Sequence, residues 1–245
     1  MDPDCRHALA SLIDHTYLAA TEPGNDRRAV MRLCAEAIRF GFVAVCVRPP
    51  WVSLARRQLW GSTVRVATVI GFPANKMDFH KELGSPGIGN ASLSEKITEA
   101  RQAIADGADE LDWVLDVGAF QRGWYAAERE IREAVSVSEG RPVKLIVEAD
   151  LLSNEELTWL APRALQWGVA MVKTSTGMLS AGEGGSLRRM TQLAEILTAG
   201  GIDPLPTWPL KASGGIRTLA HAEALLNLGI RRIGTSAGVS LMEAL

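Results

Sequence analysis

The sequence is poor in cysteine, in histidine and in net charge, and each shortage narrows the possible functions. Three cysteines occur among 245 residues, Cys5, Cys34 and Cys46, and because no two form a close-spaced pair we expect neither a disulfide framework nor a zinc site. The four histidines are scattered, without the spacing of a metal-binding motif. A formal net charge of -2 provides no basic field for nucleic acid or for a membrane surface.

Long hydrophobic runs are also missing. No run approaches the length of a membrane-spanning helix, and the acidic start of the chain lacks the apolar core of a signal peptide. The composition, with 47% hydrophobic and 22% charged residues, is typical of a globular protein with a substantial core. We therefore expect a cytoplasmic protein with no membrane contact and no nucleic-acid partner.

Short apolar runs alternate with amphipathic helical patterns along the whole chain. The predicted strands lie near residues 12–18, 43–47, 64–70, 110–116, 143–149, 169–173, 207–212 and 231–234. Capping boxes that begin at Ser92 and Ser153 predict two of the helix starts. Eight strand-then-helix units without a break in composition favour a single (β/α)8 TIM barrel over a doubly wound sheet. We expect one domain over residues 1–245, with an extended loop at about 74–91.

Two predicted strands end in lysine. Lys173 follows the apolar run 169–172, Lys211 follows Leu210, and small hydroxyl residues and glycines come after both. Such a lysine is difficult to explain by packing, because a buried ammonium needs a partner or must lose its proton. Asp112 interrupts a third apolar run. In a barrel the carboxyl ends of the strands form the catalytic face, so we expect these three residues to meet there.

The chemistry expected of such a group is nucleophilic catalysis by lysine. Two ammonium groups about 4 Å apart at an effective dielectric near 20 repel by roughly 4 kcal/mol, or about 3 pKa units. Lys211 beside Lys173 is thus predicted to bring one amine towards neutrality, and a neutral amine can form a Schiff base with a carbonyl compound. Asp112 is the predicted proton-transfer group. Asp14 and Thr16, on the first strand, are predicted either to contact substrate or to support this network.

Glycine-rich segments follow the last three predicted strands. They are Ser175–Gly177, Ser213–Gly215 and Gly234–Ser236. Loops at these positions of a barrel commonly bind phosphate, and small residues let the anion approach the backbone N–H groups. The same glycines also occur in ordinary tight turns between strand and helix.

Taken together, these residues resemble the deoxyribose-phosphate aldolase family, whose members are class I, Schiff-base aldolases. The segments that carry the resemblance are Leu12–Thr16, Val45–Val47, Val66–Pro73, Gly107–Asp112, Val172–Gly177, Leu210–Thr218 and Ile233–Gly238. They occur in order along nearly the whole chain, and the strings 173–177 and 211–218 are each distinctive. Met178 and Ala237 depart from some members, which have lysine and serine there.

The resemblance implies a lyase of sugar-phosphate catabolism that reversibly cleaves 2-deoxy-D-ribose 5-phosphate to acetaldehyde and D-glyceraldehyde 3-phosphate, without metal or organic cofactor. It implies that Lys173 forms the Schiff base, that Lys211 lowers its pKa and that Asp112 takes part in proton transfer. The residues expected to bind substrate are Asp14, Thr16, Thr174, Gly177, Gly214, Gly215 and Ser236. We also expect a homo-oligomer, either a dimer or a tetramer.

Two other functions stay open from the sequence. One is a related Schiff-base aldolase with a different or unphosphorylated aldehyde substrate, suggested by Met178 and by the long segment at 74–91. The other is a non-catalytic barrel that binds phosphorylated metabolites, against which the joint presence of Lys173 and Lys211 counts. Lys144 and Glu148 alternate on one face of the fifth predicted strand, and we expect them to form a structural pair inside the barrel.

Overall fold

Eight parallel strands close into a barrel in the order β1 to β8, as the alternating pattern of the sequence predicts. The structure is a computed structural model and describes residues 8–19, 23–73, 91–178, 183–202 and 208–245. The strands are β1 Ile13–Tyr17, β2 Ala44–Val47, β3 Arg65–Ile70, β4 Glu110–Val114, β5 Val143–Ile146, β6 Met171–Lys173, β7 Leu210–Ser213 and β8 Ile233–Thr235. The predicted (β/α)8 fold is confirmed. Most of the segment predicted as an extended loop, 74–91, lies outside the described residues.

Helices follow the strands and surround the barrel. They are α1 Pro23–Phe40, α2 Val52–Gln58, α3 Leu93–Ala105, α4 Val117–Arg122, α5 Tyr125–Val137, α6 Asn154–Gln166, α7 Glu183–Ala199, α8 Leu219–Asn227 and α9 Gly238–Glu243. Within the described ranges, none of these helices is long and apolar enough to cross a membrane.

Local sequence signals explain where several helices begin. Ser92 and Ser153 form complete capping boxes at the starts of α3 and α6, each side chain accepting a hydrogen bond from the third helical N–H. Thr218 caps α8 in the same way. The short helix α4 was not predicted; the side chain of Asp116 caps it by accepting a hydrogen bond from Ala119 N at 2.8 Å.

Most predicted strands are longer than the observed ones. The clearest case is the fifth, predicted over 143–149 and observed as Val143–Ile146. Glu148 ends the extended backbone there, because its φ of 47° places it in the left-handed region. The polar residues at the carboxyl end of the predicted strand thus belong to the loop that follows it, at the carboxyl face of the barrel.

The core divides into two parts on either side of the strands. The main apolar core lies between the outer faces of the strands and the helices. Inside the barrel the apolar filling is small, with Ala44, Cys46, Ala67 and Val69 in one cluster. Barrel interiors are usually filled by bulky branched side chains. Here much of the interior is occupied by charged side chains, which form the centre of the candidate site.

Candidate active site

Seven charged side chains meet inside the barrel and define what we call the ion cluster. Its members are Asp14, Glu110, Asp112, Lys144, Lys173, Lys211 and Arg232, each at most 7% exposed in its side chain. Each belongs to β1, β4, β5, β6 or β7 or immediately precedes β8. The strand register aligns Lys173 with Lys211 and Asp112 with Lys144, so alternation along the strands directs these side chains towards the axis.

Asp112 is the centre of the cluster. Its Oδ2 accepts hydrogen bonds from Lys173 Nζ at 2.8 Å and from Lys211 Nζ at 2.6 Å. Its Oδ1 accepts one from Lys144 Nζ at 2.8 Å. The predicted meeting of Lys173, Lys211 and Asp112 therefore occurs in the structure, with the carboxylate bonded to both predicted lysines.

The three lysines differ in how many carboxylates they contact. Lys144 Nζ lies within ion-pair distance of Asp112, Glu110 and Asp14. Lys211 Nζ pairs with Asp14 and Asp112. Lys173 Nζ pairs with Asp112 alone among the described residues. Lys173 is thus the least neutralised ammonium of the three, and it is also the one that reaches the wall of the adjoining cavity.

The lower end of the cluster is closed by arginine. Arg232 pairs with Asp14 Oδ1 and with Glu110 Oε2, and Arg65 Nη1 contacts Glu110 Oε1 at 2.9 Å. The side chain of Arg65 is 54% exposed, so it marks the end of the cluster at the amino-terminal face of the barrel. The cluster itself holds four cationic groups and three carboxylates. One positive charge is therefore in excess when every group is ionised.

The cluster sets the direction of several pKa shifts. Burial raises the pKa of Asp112, but Lys144, Lys173 and Lys211 lower it more strongly, so it lies well below its usual range. Burial lowers the pKa of Lys173, but the Asp112 carboxylate outweighs this effect and holds the pKa above its ordinary value. This is the opposite of the direction expected from the two lysines alone, because that expectation left out a carboxylate bonded to both.

A cavity of about 570 Å³ opens above the cluster, at the carboxyl ends of the strands. Its wall contains Lys173 together with residues 16–19, Arg48, Phe72, 176–178, 213–217 and 234–236. Arg48 stacks over the Phe72 ring at 5.1 Å and donates hydrogen bonds to the carbonyl oxygens of Leu18 and Pro73. The guanidinium of Arg48 and that of Arg217 supply positive charge to a wall that otherwise consists mainly of small and apolar residues.

The loops after β6 and β7 are tied together by hydroxyl groups. Thr174 Oγ1 and Ser175 Oγ both donate to Ser213 O, and Ser213 Oγ donates to Ser175 O at 2.6 Å. Gly177 N donates to Ser175 Oγ at 3.2 Å. Gly214, the residue after Ser213, has a φ of 94°, a backbone conformation that suits glycine. These bonds hold the two glycine-rich loops side by side along one wall of the cavity.

Most of the predicted substrate-binding residues lie on the cavity wall. They are Thr16, Gly177, Gly214, Gly215 and Ser236. Asp14 and Thr174, which were also predicted to bind substrate, do not line the cavity. Asp14 is fully buried beneath Lys211, and Thr174 is occupied with Ser213. For Asp14, the supporting role is the one of the two alternatives that this position favours.

Sequence reasoning missed three members of the cluster. Lys144, expected to pair with Glu148, instead pairs with Asp112, Glu110 and Asp14, while Glu148 contacts Thr176. Glu110 was not singled out. The arginine pair Arg231–Arg232 was expected to be a solvated face, but Arg232 is buried and pairs with Asp14 and Glu110. A signal for Glu110 exists, because it lies two positions before Asp112 and therefore on the same face of the strand.

Other parts of the described chain offer less chemistry. Among the described residues, no group of three or more His, Cys, Asp or Glu side chains is arranged to hold a metal ion. A cavity of about 470 Å³ lies among α3, α4 and α5 and includes Lys96 and Glu130. Those two side chains already pair at 2.6 Å, and Glu130 also accepts a hydrogen bond from Trp113 Nε1. We interpret this second charged group as structural.

Comparison with known proteins gives similarity over nearly the whole chain. The chain is 39% identical over 240 residues to deoxyribose-phosphate aldolase of Geobacillus sp. (strain WCH70), covering 96% of this chain and 95% of that one. It is also 39% identical to the deoxyribose-phosphate aldolase of Thermococcus gammatolerans, again with 96% and 95% coverage. A tetrameric deoxyribose phosphate aldolase structure from Aeropyrum pernix superposes with a TM-score of 0.77 at 30% identity, covering 97% of this chain and 91% of that one. No protein-family model matches.

Proposed function

Because the chain belongs to the deoxyribose-phosphate aldolase family, we propose that it reversibly cleaves 2-deoxy-D-ribose 5-phosphate to acetaldehyde and D-glyceraldehyde 3-phosphate. The observation that carries the proposal is the sharing of one Asp112 oxygen by Lys173 and Lys211 beneath a cavity at the carboxyl ends of the strands. A barrel that only bound a phosphorylated metabolite would not need a pair of lysines in contact with a buried carboxylate.

Lys173 is the proposed nucleophile. It has a single carboxylate partner among the described residues, whereas Lys144 and Lys211 have three and two. Loss of the Lys173 proton leaves three cationic groups and three carboxylates in the ion cluster, so the neutral amine is compatible with the charges of the other six members. Lys173 is also the lysine of the cluster that lines the cavity, so its amine is the one within reach of a substrate carbonyl.

The reaction proceeds through the neutral amine of Lys173. It attacks the C1 aldehyde of the open-chain sugar, and loss of water gives a protonated imine. The imine accepts the electron pair of the C2–C3 bond as that bond breaks and the C3 hydroxyl proton is removed, which releases D-glyceraldehyde 3-phosphate. Protonation of the enamine at C2 and hydrolysis of the imine then release acetaldehyde and restore the lysine.

Asp112 and Lys211 are proposed to control the protonation state of Lys173. Asp112 Oδ2 lies 2.8 Å from Lys173 Nζ, within the range for direct proton transfer. Lys211 bonds to the same oxygen, and its positive charge opposes protonation of both Asp112 and Lys173. Since Asp112 does not line the cavity, its transfers to the sugar are proposed to run through Lys173 or a water molecule.

The phosphate is proposed to bind on the wall formed by the loops after β6, β7 and β8. Gly177, Gly214, Gly215 and Ser236 lie there, and Arg217 is an exposed cation on the same wall. Small residues allow an anion to approach the backbone closely. Met178 stands where some family members have a lysine. Arg217 is therefore the cationic side chain proposed to contact the phosphate.

The assembly and location of the protein are also proposals. The tetrameric relative from Aeropyrum pernix supports a homo-oligomer for this chain, either a dimer or a tetramer. The cytoplasmic location expected from the sequence stays a prediction.

The direct test is cleavage of the proposed substrate by the purified protein. Acetaldehyde release from 2-deoxy-D-ribose 5-phosphate is compared with release from 2-deoxy-D-ribose, for the wild type and for Lys173→Met. We expect activity that depends on Lys173 and a higher kcat/KM for the phosphorylated sugar. Equal kcat/KM for both sugars would favour the related aldolase with an unphosphorylated substrate, and no turnover of either would favour a binding protein.

A further inference from the structure

Glu148 is a buried carboxylate beside the site that the proposed reaction does not use. It follows β5, is fully buried, and has a φ of 47°, which L-amino acids other than asparagine and aspartate rarely adopt. Among the described residues its buried Oε1 has no hydrogen-bond partner, an uncommon condition for a carboxylate oxygen. Strained backbone and unsatisfied polar atoms of this kind concentrate at functional sites.

The other oxygen of Glu148 holds one turn of the cavity wall. Oε2 accepts hydrogen bonds from Thr176 N at 3.0 Å and from Thr176 Oγ1 at 2.7 Å. Thr176 Oγ1 in turn accepts a hydrogen bond from Met178 N at 3.1 Å. Thr176, Gly177 and Met178 all line the cavity, whereas Glu148 does not. One carboxylate oxygen therefore organises three consecutive wall residues from behind.

Backbone hydrogen bonds hold the chain on both sides of Glu148. Val147 N donates to Lys173 O at 3.0 Å, and Ala149 N donates to Thr174 O at 2.8 Å. The chain is thus bonded to the last residue of β6 before Glu148 and to the first residue after β6 beyond it. The carboxylate extends the same contact two residues further, to Thr176, beyond the last of these backbone bonds.

We propose that Glu148 is a positioning residue that holds the Thr176–Met178 turn in the conformation that binds the phosphate end of the substrate. The inference rests on the proposed function for the identity of the substrate. The inference concerns the affinity of the site for an anion and not the chemistry at Lys173. Binding of inorganic phosphate therefore tests it without catalytic turnover.

Three variants separate the side chain from the backbone. Glu148→Gly removes the carboxylate and suits the positive φ, so it relieves strain instead of adding it. Glu148→Gln keeps an oxygen that can accept from Thr176. Glu139→Gly is the matched control, because Glu139 is the other non-glycine residue with positive φ in the described chain, at 53°, and its side chain is 66% exposed.

The experiment measures KM for both sugars and the rise in Tm caused by inorganic phosphate. For Glu148→Gly we expect KM for 2-deoxy-D-ribose 5-phosphate to rise about tenfold, with KM for 2-deoxy-D-ribose changed by less than about twofold. Phosphate should raise the Tm of the wild type and of Glu139→Gly but not of Glu148→Gly, and Glu148→Gln should restore most of the effect.

Parallel changes in KM for the two sugars would overturn the inference, since a merely structural role affects both. Equal protection of Glu148→Gly and the wild type by phosphate would also overturn it, as would a wild type that phosphate does not protect. If the wild type cleaves neither sugar, the proposed reaction fails. The difference in phosphate protection between wild type and Glu148→Gly then still decides the role of Glu148.

Discussion

Replacing Lys211 with methionine should slow Schiff-base formation at Lys173. Both ammonium groups bond to the same Asp112 oxygen, so each opposes the charge of the other. Two unit charges about 4 Å apart at an effective dielectric near 20 interact by roughly 4 kcal/mol, which corresponds to about 3 pKa units. In Lys211→Met this repulsion is lost and Asp112 keeps its bond to Lys173, so the pKa of Lys173 should rise further. The neutral fraction of Lys173 at a fixed pH should fall by up to about 10³-fold.

The assay is the rate at which acetaldehyde is trapped on the protein by cyanoborohydride, measured at several pH values. In both proteins the rate should increase with pH, because only the uncharged amine reacts. The plot for Lys211→Met should lie below that of the wild type by up to about three log units. Folding of each variant is checked by circular dichroism before the rates are compared.

Arg65→Met provides the control. Arg65 also gives a positive charge to the cluster, through Glu110, but at the opposite end from Lys173 and with a half-exposed side chain. Solvent screens such a charge, so its loss should change the trapping rate much less than the loss of Lys211. A Lys211→Met rate within about threefold of the wild type, or an equal effect of the two variants, would refute the proposed electrostatic role of Lys211.

Three further outcomes are expected. Lys96→Met should lower the free energy of unfolding by about 3–5 kcal/mol in urea denaturation, because it leaves Glu130 buried without its ammonium partner; a loss below about 1 kcal/mol would contradict this. Burial raises the pKa of the Cys34 thiol to about 12, so peptide mapping should find Cys34 unlabelled by iodoacetamide at pH 8 in the native protein and labelled after denaturation. The pKa of Asp14 is lowered in the fold, so the unfolded chain binds more protons below about pH 4 and stability should fall as pH falls through that range. In Asp14→Asn the free energy of unfolding should depend less on pH in that range. An unchanged acid dependence in this variant would argue against the ion cluster as its source.

The barrel could be predicted because its signals are local and repeat along the chain. Ser92 and Ser153 begin helices where their capping boxes predict, and the apolar runs before Lys173 and Lys211 become neighbouring strands. Adjacent strands in sequence pair in space, so the meeting of Lys173 and Lys211 followed from the order of the units alone.

The depth of each side chain along the barrel axis could not be predicted in the same way. Alternation shows which residues face inward, but the stagger of the strands decides which inward residues share a level. Lys144 therefore pairs with Asp112, across the β4–β5 register, and not with Glu148 four positions along its own chain. For the same reason Asp14 lies below the cavity. The effect of Asp112 on the pKa of Lys173 was missed for a different reason, because the expected repulsion between the two lysines left out the carboxylate bonded to both.

The central claim is that the amine of Lys173 forms the covalent intermediate. Borohydride reduction in the presence of 2-deoxy-D-ribose 5-phosphate, followed by proteolysis and mass spectrometry, tests it most directly. We predict that the peptide containing Lys173 gains the mass of the reduced adduct and that Lys173→Met gains none. An adduct on Lys144 or Lys211, or an unmodified wild-type protein, would contradict the claim.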